Sequence, residues 1–208
     1  VIDYTVELFR ESQNADKNLF MGAINCLVKG LDDSDPLKRN ISSRSLLELV
    51  RRCDISDVKW IREIIDFILP LVNESSDVNK REIAIDTILD LVEMKETQGV
   101  GHSQLIKEVI DTFTSRLSKV SPRFRSRILV AIAELEKIGG NNNIEKLKGI
   151  LNELAPLLKD PSNDVKQAAA KGILELLRIM KDSPGAQLLR STVENFISIL
   201  TTTTDGIL

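Results

Sequence analysis

Ten cations are placed where they could recognise an acidic surface. Lys38, Arg39, Lys80, Arg81, Arg123, Arg125 and Lys166 each follow a turn and open a stretch of helical periodicity. Arg116, Lys119 and Arg127 crowd around the third of these starts, and no acid lies between Asp111 and Glu134. A cation at a helix N-terminus opposes the helix dipole, by roughly 0.3–1 kcal/mol when exposed. A feature that disfavours its own helix four times over needs compensation. Two readings supply it. Either turn aspartates pair with the cations as a structural ladder, or the cations form a basic ridge that meets an acidic partner. The ridge makes all ten partner-binding candidates, with Arg116–Arg127 the first place to look.

Other chemistry finds little support. His102 is the sole histidine and sits in a Gly-flanked stretch, which reads as a solvated loop residue rather than half of a catalytic dyad. Two distant cysteines, Cys26 and Cys53, and one histidine give no zinc spacing. Both cysteines lie in apolar helical patterns and read as buried free thiols of a reducing compartment, against a disulfide. No glycine pattern for phosphate or dinucleotide binding is present. Asp32, Asp33 and Asp35 lack the remaining ligands of a calcium loop and read as a polar turn with a helix cap. Trp60 and Phe67 suit packing on a neighbouring repeat better than a partner anchor. No catalytic residue, metal site or cofactor is implied, and the expectation is that the chain is not an enzyme.

The elements that must position the cations are helices. At 208 residues and 42% hydrophobic, the chain can bury a sizeable core, and one domain over 1–208 is expected. A net charge of -3 argues against a general nucleic-acid binder, and aromatics at 4% are too few for a base-stacking platform. No run of eighteen apolar residues suggests a membrane span, and no signal peptide is visible, although a start at Val1 leaves room for a processed N-terminus. A cytoplasmic protein is expected.

Apolar residues recur at three- and four-residue steps over Leu19–Leu31, Leu37–Cys53, Val58–Val72, Val78–Lys95, Ser103–Leu117, Pro122–Ile138, Ile144–Leu158 and Ser162–Met180. Turn clusters such as Asp32–Pro36 and Lys159–Asp164 join them into pairs. A short helix over 1–12 and an unpaired helix over 186–200 are expected at the ends. Near the end of each second helix stands one tetrad, two apolar residues, an acid and Leu. It is Leu46-Leu47-Glu48-Leu49, then Ile88-Leu89-Asp90-Leu91, Ile132-Ala133-Glu134-Leu135 and Ile173-Leu174-Glu175-Leu176. The intervals are 42, 44 and 41 residues, the period of paired-helix solenoids. Such a pair cannot bury its stripe alone, so it must stack on its neighbours. The repeats fall at roughly 19–53, 57–95, 103–138 and 144–181, with a half repeat at 186–200.

On these residues the chain resembles HEAT-repeat proteins, with armadillo repeats as the near relative, from about Leu19 to Leu200. The likeness is closest at 154–177, where Pro156 matches the family's proline late in the first helix. Asp160 matches its turn aspartate, and Lys166 its basic residue early in the second helix. The resemblance implies a right-handed α-α superhelix of about four and a half helix pairs, second helices on the concave side. It implies an aspartate–cation ladder along successive turns: Asp32 or Asp33 with Lys38 or Arg39, then Glu74 or Ser75 with Lys80 or Arg81. The third turn departs from the pattern, with Lys119 in the aspartate position. The implied function is a non-enzymatic protein-binding scaffold or adaptor. One alternative is tubulin or microtubule binding of the TOG type through the turns, against which stand the few repeats and the missing turn tryptophan. Another is nucleic-acid or phosphate binding at 116–127, and a HEAT-like base-excising enzyme would need more aromatics than this chain has. Unpaired helices at both ends favour a fragment of a longer solenoid or end-to-end association.

Overall fold

The computed structural model describes residues 17–52, 58–74, 77–94, 101–140 and 144–181. The expected helices over 1–12 and 186–200, Cys53 and the loop 95–100 lie outside them. The described residues form eight α-helices and no strand, and none of the helices is long and apolar enough to cross a membrane. In chain order these are α1 (Lys17–Leu31), α2 (Pro36–Arg52), α3 (Val58–Glu74), α4 (Val78–Glu93), α5 (His102–Arg116), α6 (Pro122–Ile138), α7 (Ile144–Leu154) and α8 (Asn163–Lys181). The chain divides into two compact units, residues 1–109 and 110–208, with the division inside α5.

In the first unit α1 pairs with α2 and α3 with α4, and the pairs stack like on like: α1 lies against α3, and α2 against α4. This layering of hairpins is the arrangement of an α solenoid. Its cause is periodicity. Phe20, Ile24, Val28 and Leu31 of α1 are buried at steps of three and four, as are Ile61, Ile64, Ile65, Ile68 and Val72 of α3. Each such side chain contributes about 1.5–3 kcal/mol on full burial. α4 lies against both α3 and α2, so Ala84, Ile85, Thr87, Ile88, Leu89, Leu91 and Val92 are all buried. Between α2 and α4 the Ser43 and Thr87 hydroxyls meet at 2.9 Å inside the apolar layer. Thr87 also donates to the Ile83 carbonyl at 2.6 Å, so Ser43 donates to Thr87. The Trp60 ring packs on Phe20 at 5.2 Å between centroids, tilted by 59°. Phe67, by contrast, is exposed on α3 rather than packed.

In the second unit α7 folds back on α8, and α6 lies along α8. Pro156 cannot donate to the carbonyl four residues back. The chain there tightens into a 3-10 segment over Ala155–Lys159 instead of continuing as the expected single helix to Leu158. Pro70, placed at the matching point of α3, stays within an unbroken α-helix. Close approach at α8 depends on Gly172 as well as on the fully buried Ala169. A Cβ on Gly172 would lie 3.1 Å from Val130 and 3.5 Å from Leu154.

Two further sequence expectations are corrected. His102 is not a solvated loop residue: it opens α5, and its ring Nε2 stands 2.9 Å from the Val92 carbonyl oxygen. Cys26 is free, as expected, but exposed rather than buried, because it falls on the outer side of the α1 stripe.

Candidate functional site

The cations are positioned by four helix starts that share one register. α2, α4, α6 and α8 begin behind Asp35, Asp77, Ser121 and Ser162, again at intervals of 42, 44 and 41 residues. Four residues on, the amides of Arg39, Arg81, Arg125 and Lys166 each donate to the carbonyl of that capping residue. The Asp35 and Asp77 carboxylates cap their helices by accepting from the amides two residues on, each at 2.8 Å.

In the first unit the cations are consumed by the turns. Arg39 is only 4% exposed. Its Nη1 donates to the carbonyl oxygens of Asp33 at 2.9 Å and Ser34 at 3.1 Å, and stands 3.8 Å from the Asp77 carboxylate of the next turn. Lys80 reaches in the opposite direction: its ammonium donates to the Asp32 backbone carbonyl and pairs with the Asp32 carboxylate at 2.7 Å. Successive turns are thus cross-linked twice, once each way. Lys38 adds a pair with Asp33 at 3.4 Å. The Asp33 carboxyl is held below its usual range, chiefly by the Asp35 amide that donates to it at 2.8 Å, with Lys38 and Lys80 adding to the effect. Arg81 is half-buried. A charged donor shared between two carbonyls and a carboxylate answers the dipole penalty at the start of α2.

In the second unit the same register is poorly filled. Lys119 ends a 3-10 turn over Leu117–Lys119 and is exposed, and it forms no ion pair with a described residue. Arg123 pairs with Asp164 at 3.6 Å, both side chains well exposed. Arg125 Nε lies 3.9 Å from the Glu153 carboxylate, too far for a hydrogen bond, and it is buried with no hydrogen-bond partner. Arg116 Nε is likewise buried without an acceptor. Arg127 pairs with Glu134 at 3.3 Å, two turns along its own helix. Lys166 is half-buried and, like Lys119, has no ion pair with a described residue.

Of the ten candidates, then, Arg39 and Lys80 are fastened into turns and Lys38 pairs beside them, while Arg116, Lys119, Arg123 and Arg125 lie close together in sequence and two of them, Arg116 and Arg125, keep an unmatched Nε donor. The sequence offered Asp32 or Asp33 to Lys38 or Arg39, and the Lys38–Asp33 pair is present. For Lys80 or Arg81 it offered Glu74 or Ser75, whereas Lys80 reaches back to Asp32, and it missed Asp77, the acid that approaches Arg39. The signal was available, since Asp77 lies 42 residues after Asp35 in the same capping position. It also missed Asp164 and Glu153, which approach the third cluster from residues distant in sequence. No group of histidine, cysteine, aspartate and glutamate residues among the described residues could hold a metal ion.

Comparison with known proteins gives a family match over one hairpin. Residues 150–180, covering the end of α7, the 3-10 segment and turn after it, and α8 to Met180, match the family model of the HEAT repeat. No curated protein and no solved structure matches the chain.

Proposed function

We propose, from the premise that this chain is a HEAT-repeat protein, that it is a non-enzymatic, cytoplasmic scaffold whose third hairpin grips an acidic segment of a partner protein. The observation that carries the reading is the pair of buried, unmatched guanidinium Nε donors of Arg116 and Arg125. At the start of α2 the cation of this register, Arg39, is engaged, and moving it would break good hydrogen bonds. Arg125 can swing outward to a partner carboxylate without giving up any hydrogen bond at Nε. Its side chain is already 40% exposed. A planar fork meeting a carboxylate gains two charge-assisted bonds. Lys119 and Arg123 widen the patch, with Arg127 beside them on α6. The exposed free thiol of Cys26 suits a reducing compartment.

The test uses fluorescence anisotropy of the full chain with Asp/Glu-rich twelve-residue peptides and with single- and double-stranded oligonucleotides. Micromolar binding of an acidic peptide is expected, and Arg123→Glu with Arg125→Glu should weaken it at least tenfold while leaving the melting temperature in place. Oligonucleotide binding that outcompetes every peptide and collapses between 50 and 200 mM salt would replace this reading with a nucleic-acid one.

A further inference from the structure

We propose that Ser121 is a phosphorylation site for a proline-directed serine kinase, and that its phosphate is held at the start of α6 by the cations of the third hairpin. Ser121 is followed by Pro122 and Arg123, with Lys119 two residues before it and Arg125 four after. It is exposed, and the backbone is extended at Val120 (φ -109, ψ 158) and at Ser121 itself (φ -61, ψ 151). A serine in extended backbone before a residue lacking an amide hydrogen is what such a kinase reads.

The register explains what the phosphate would do. Asp35 and Asp77 place a carboxylate at the capping position of α2 and α4, and each accepts an amide hydrogen bond. Ser121 holds the same position before α6, but its hydroxyl makes no capping bond. The turn acid is missing as well, replaced by Lys119. The third hairpin therefore has cations, a helix N-terminus and two unmatched guanidinium donors, Arg116 and Arg125, but no anion of its own in the turn. A phosphoserine carries about -1.5 to -2 charges and three acceptor oxygens. That suffices for the first-turn amides of α6 and the Arg125 guanidinium, and for Arg123 in exchange for its long 3.6 Å pair with Asp164. In the transfer, Ser121 Oγ attacks the γ-phosphorus of ATP. The Oγ–P bond forms as the bond to the ADP oxygen breaks, and the hydroxyl proton passes to the kinase base.

The modification stands on the register and the motif alone. Its consequence rests on the function proposed above: an internal phosphate occupies the cations that a partner's acidic segment would use, so phosphorylation releases the partner. The experiment treats the full folded chain with a proline-directed kinase and ATP, alongside Ser121→Ala, and maps the phosphate by mass spectrometry. One phosphate on Ser121 is expected, with uptake at least tenfold lower in Ser121→Ala. The phosphorylated chain should melt about 1–4 °C higher and bind acidic peptide at least tenfold more weakly. Modification of the heat-unfolded chain but not the folded one, transfer only to the other Ser-Pro serine, Ser183, or a lowered melting temperature would overturn the proposal. If Ser121 is modified and the chain melts higher, but the unmodified chain binds no acidic peptide, the site holds and the partner reading fails.

Discussion

Two turns of this chain hold an arginine at the same point of the same repeat and use it in opposite ways. At the start of α2, Arg39 is enclosed, with two carbonyls and a carboxylate around one Nη. At the start of α6, Arg125 keeps its Nε hidden but unmatched, and the acid it approaches, Glu153, stands off at 3.9 Å. The two turns also differ two residues before the cap: Asp33 holds that place in the first, where its carbonyl accepts from Arg39 and its carboxylate pairs with Lys38, and Lys119 holds it in the third. The first turn thus supplies an anion beside its cations, and the third adds another cation.

The strongest way to break this comparison is to remove both arginines in turn. Arg39→Ala deletes a buried charged donor and strands the carbonyls of Asp33 and Ser34, which should cost about 2–3 kcal/mol by urea denaturation. Arg125→Ala should stay within about 0.5 kcal/mol of the parent. Equal losses would show that the two positions play the same part. Next in size, Ser43→Ala should cost about 1 kcal/mol, because Thr87 retains its bond to Ile83 and loses only its bond to Ser43. A comparable loss in a Thr87→Val background would show that the two hydroxyls are not coupled. Lys119→Asp, which restores the repeat's acid, should stabilise the chain by roughly 0.3–1 kcal/mol and weaken acidic-peptide binding in the same variant.

Acid titration sharpens the contrast at the smallest scale. The folded Asp33 carboxyl lies below its unfolded value, so its contribution is full above the unfolded pKa of about 3.9 and fades as pH falls through the folded one. Asp33→Asn should therefore differ from the parent at neutral pH and converge with it in acid, whereas Lys119→Asn should show no such convergence. Asp90 provides a control of opposite sign. Burial raises its carboxyl first, and Asp86 and Glu93 add repulsion, so its charging costs stability as pH rises. Asp90→Asn should gain about 0.2–0.5 kcal/mol at neutral pH and nothing in acid.

Much of this architecture was legible because it is periodic. The periodic stretches and turn clusters located the eight helices, and Pro122–Ile138 was bounded to the residue. Local spacing carries less information about what a side chain meets across a stack. It could not say that the outer position of Cys26 on α1 would remain uncovered, or that the carbonyl of Val92 would wait for His102. The acids that serve Arg39, Arg123 and Arg125 are 38, 41 and 28 residues away in sequence, so a search for nearby carboxylates found the cations and missed their partners. The empty place at Lys119 was legible for the converse reason: an absence at a repeating position shows against the positions that are filled.

The hydroxyl pair between α2 and α4 has a consequence for how this stack tolerates wear. Apolar surfaces slide past one another with little penalty, since one methyl is much like the next. Ser43 and Thr87 act as a key in a slot. Displaced by one residue, the Ser43 hydroxyl would lose its acceptor, while Thr87 would keep its bond to Ile83. The α2–α4 contact is thereby held in register from inside its apolar layer, as Arg39–Asp77 and Lys80–Asp32 hold it at the turns.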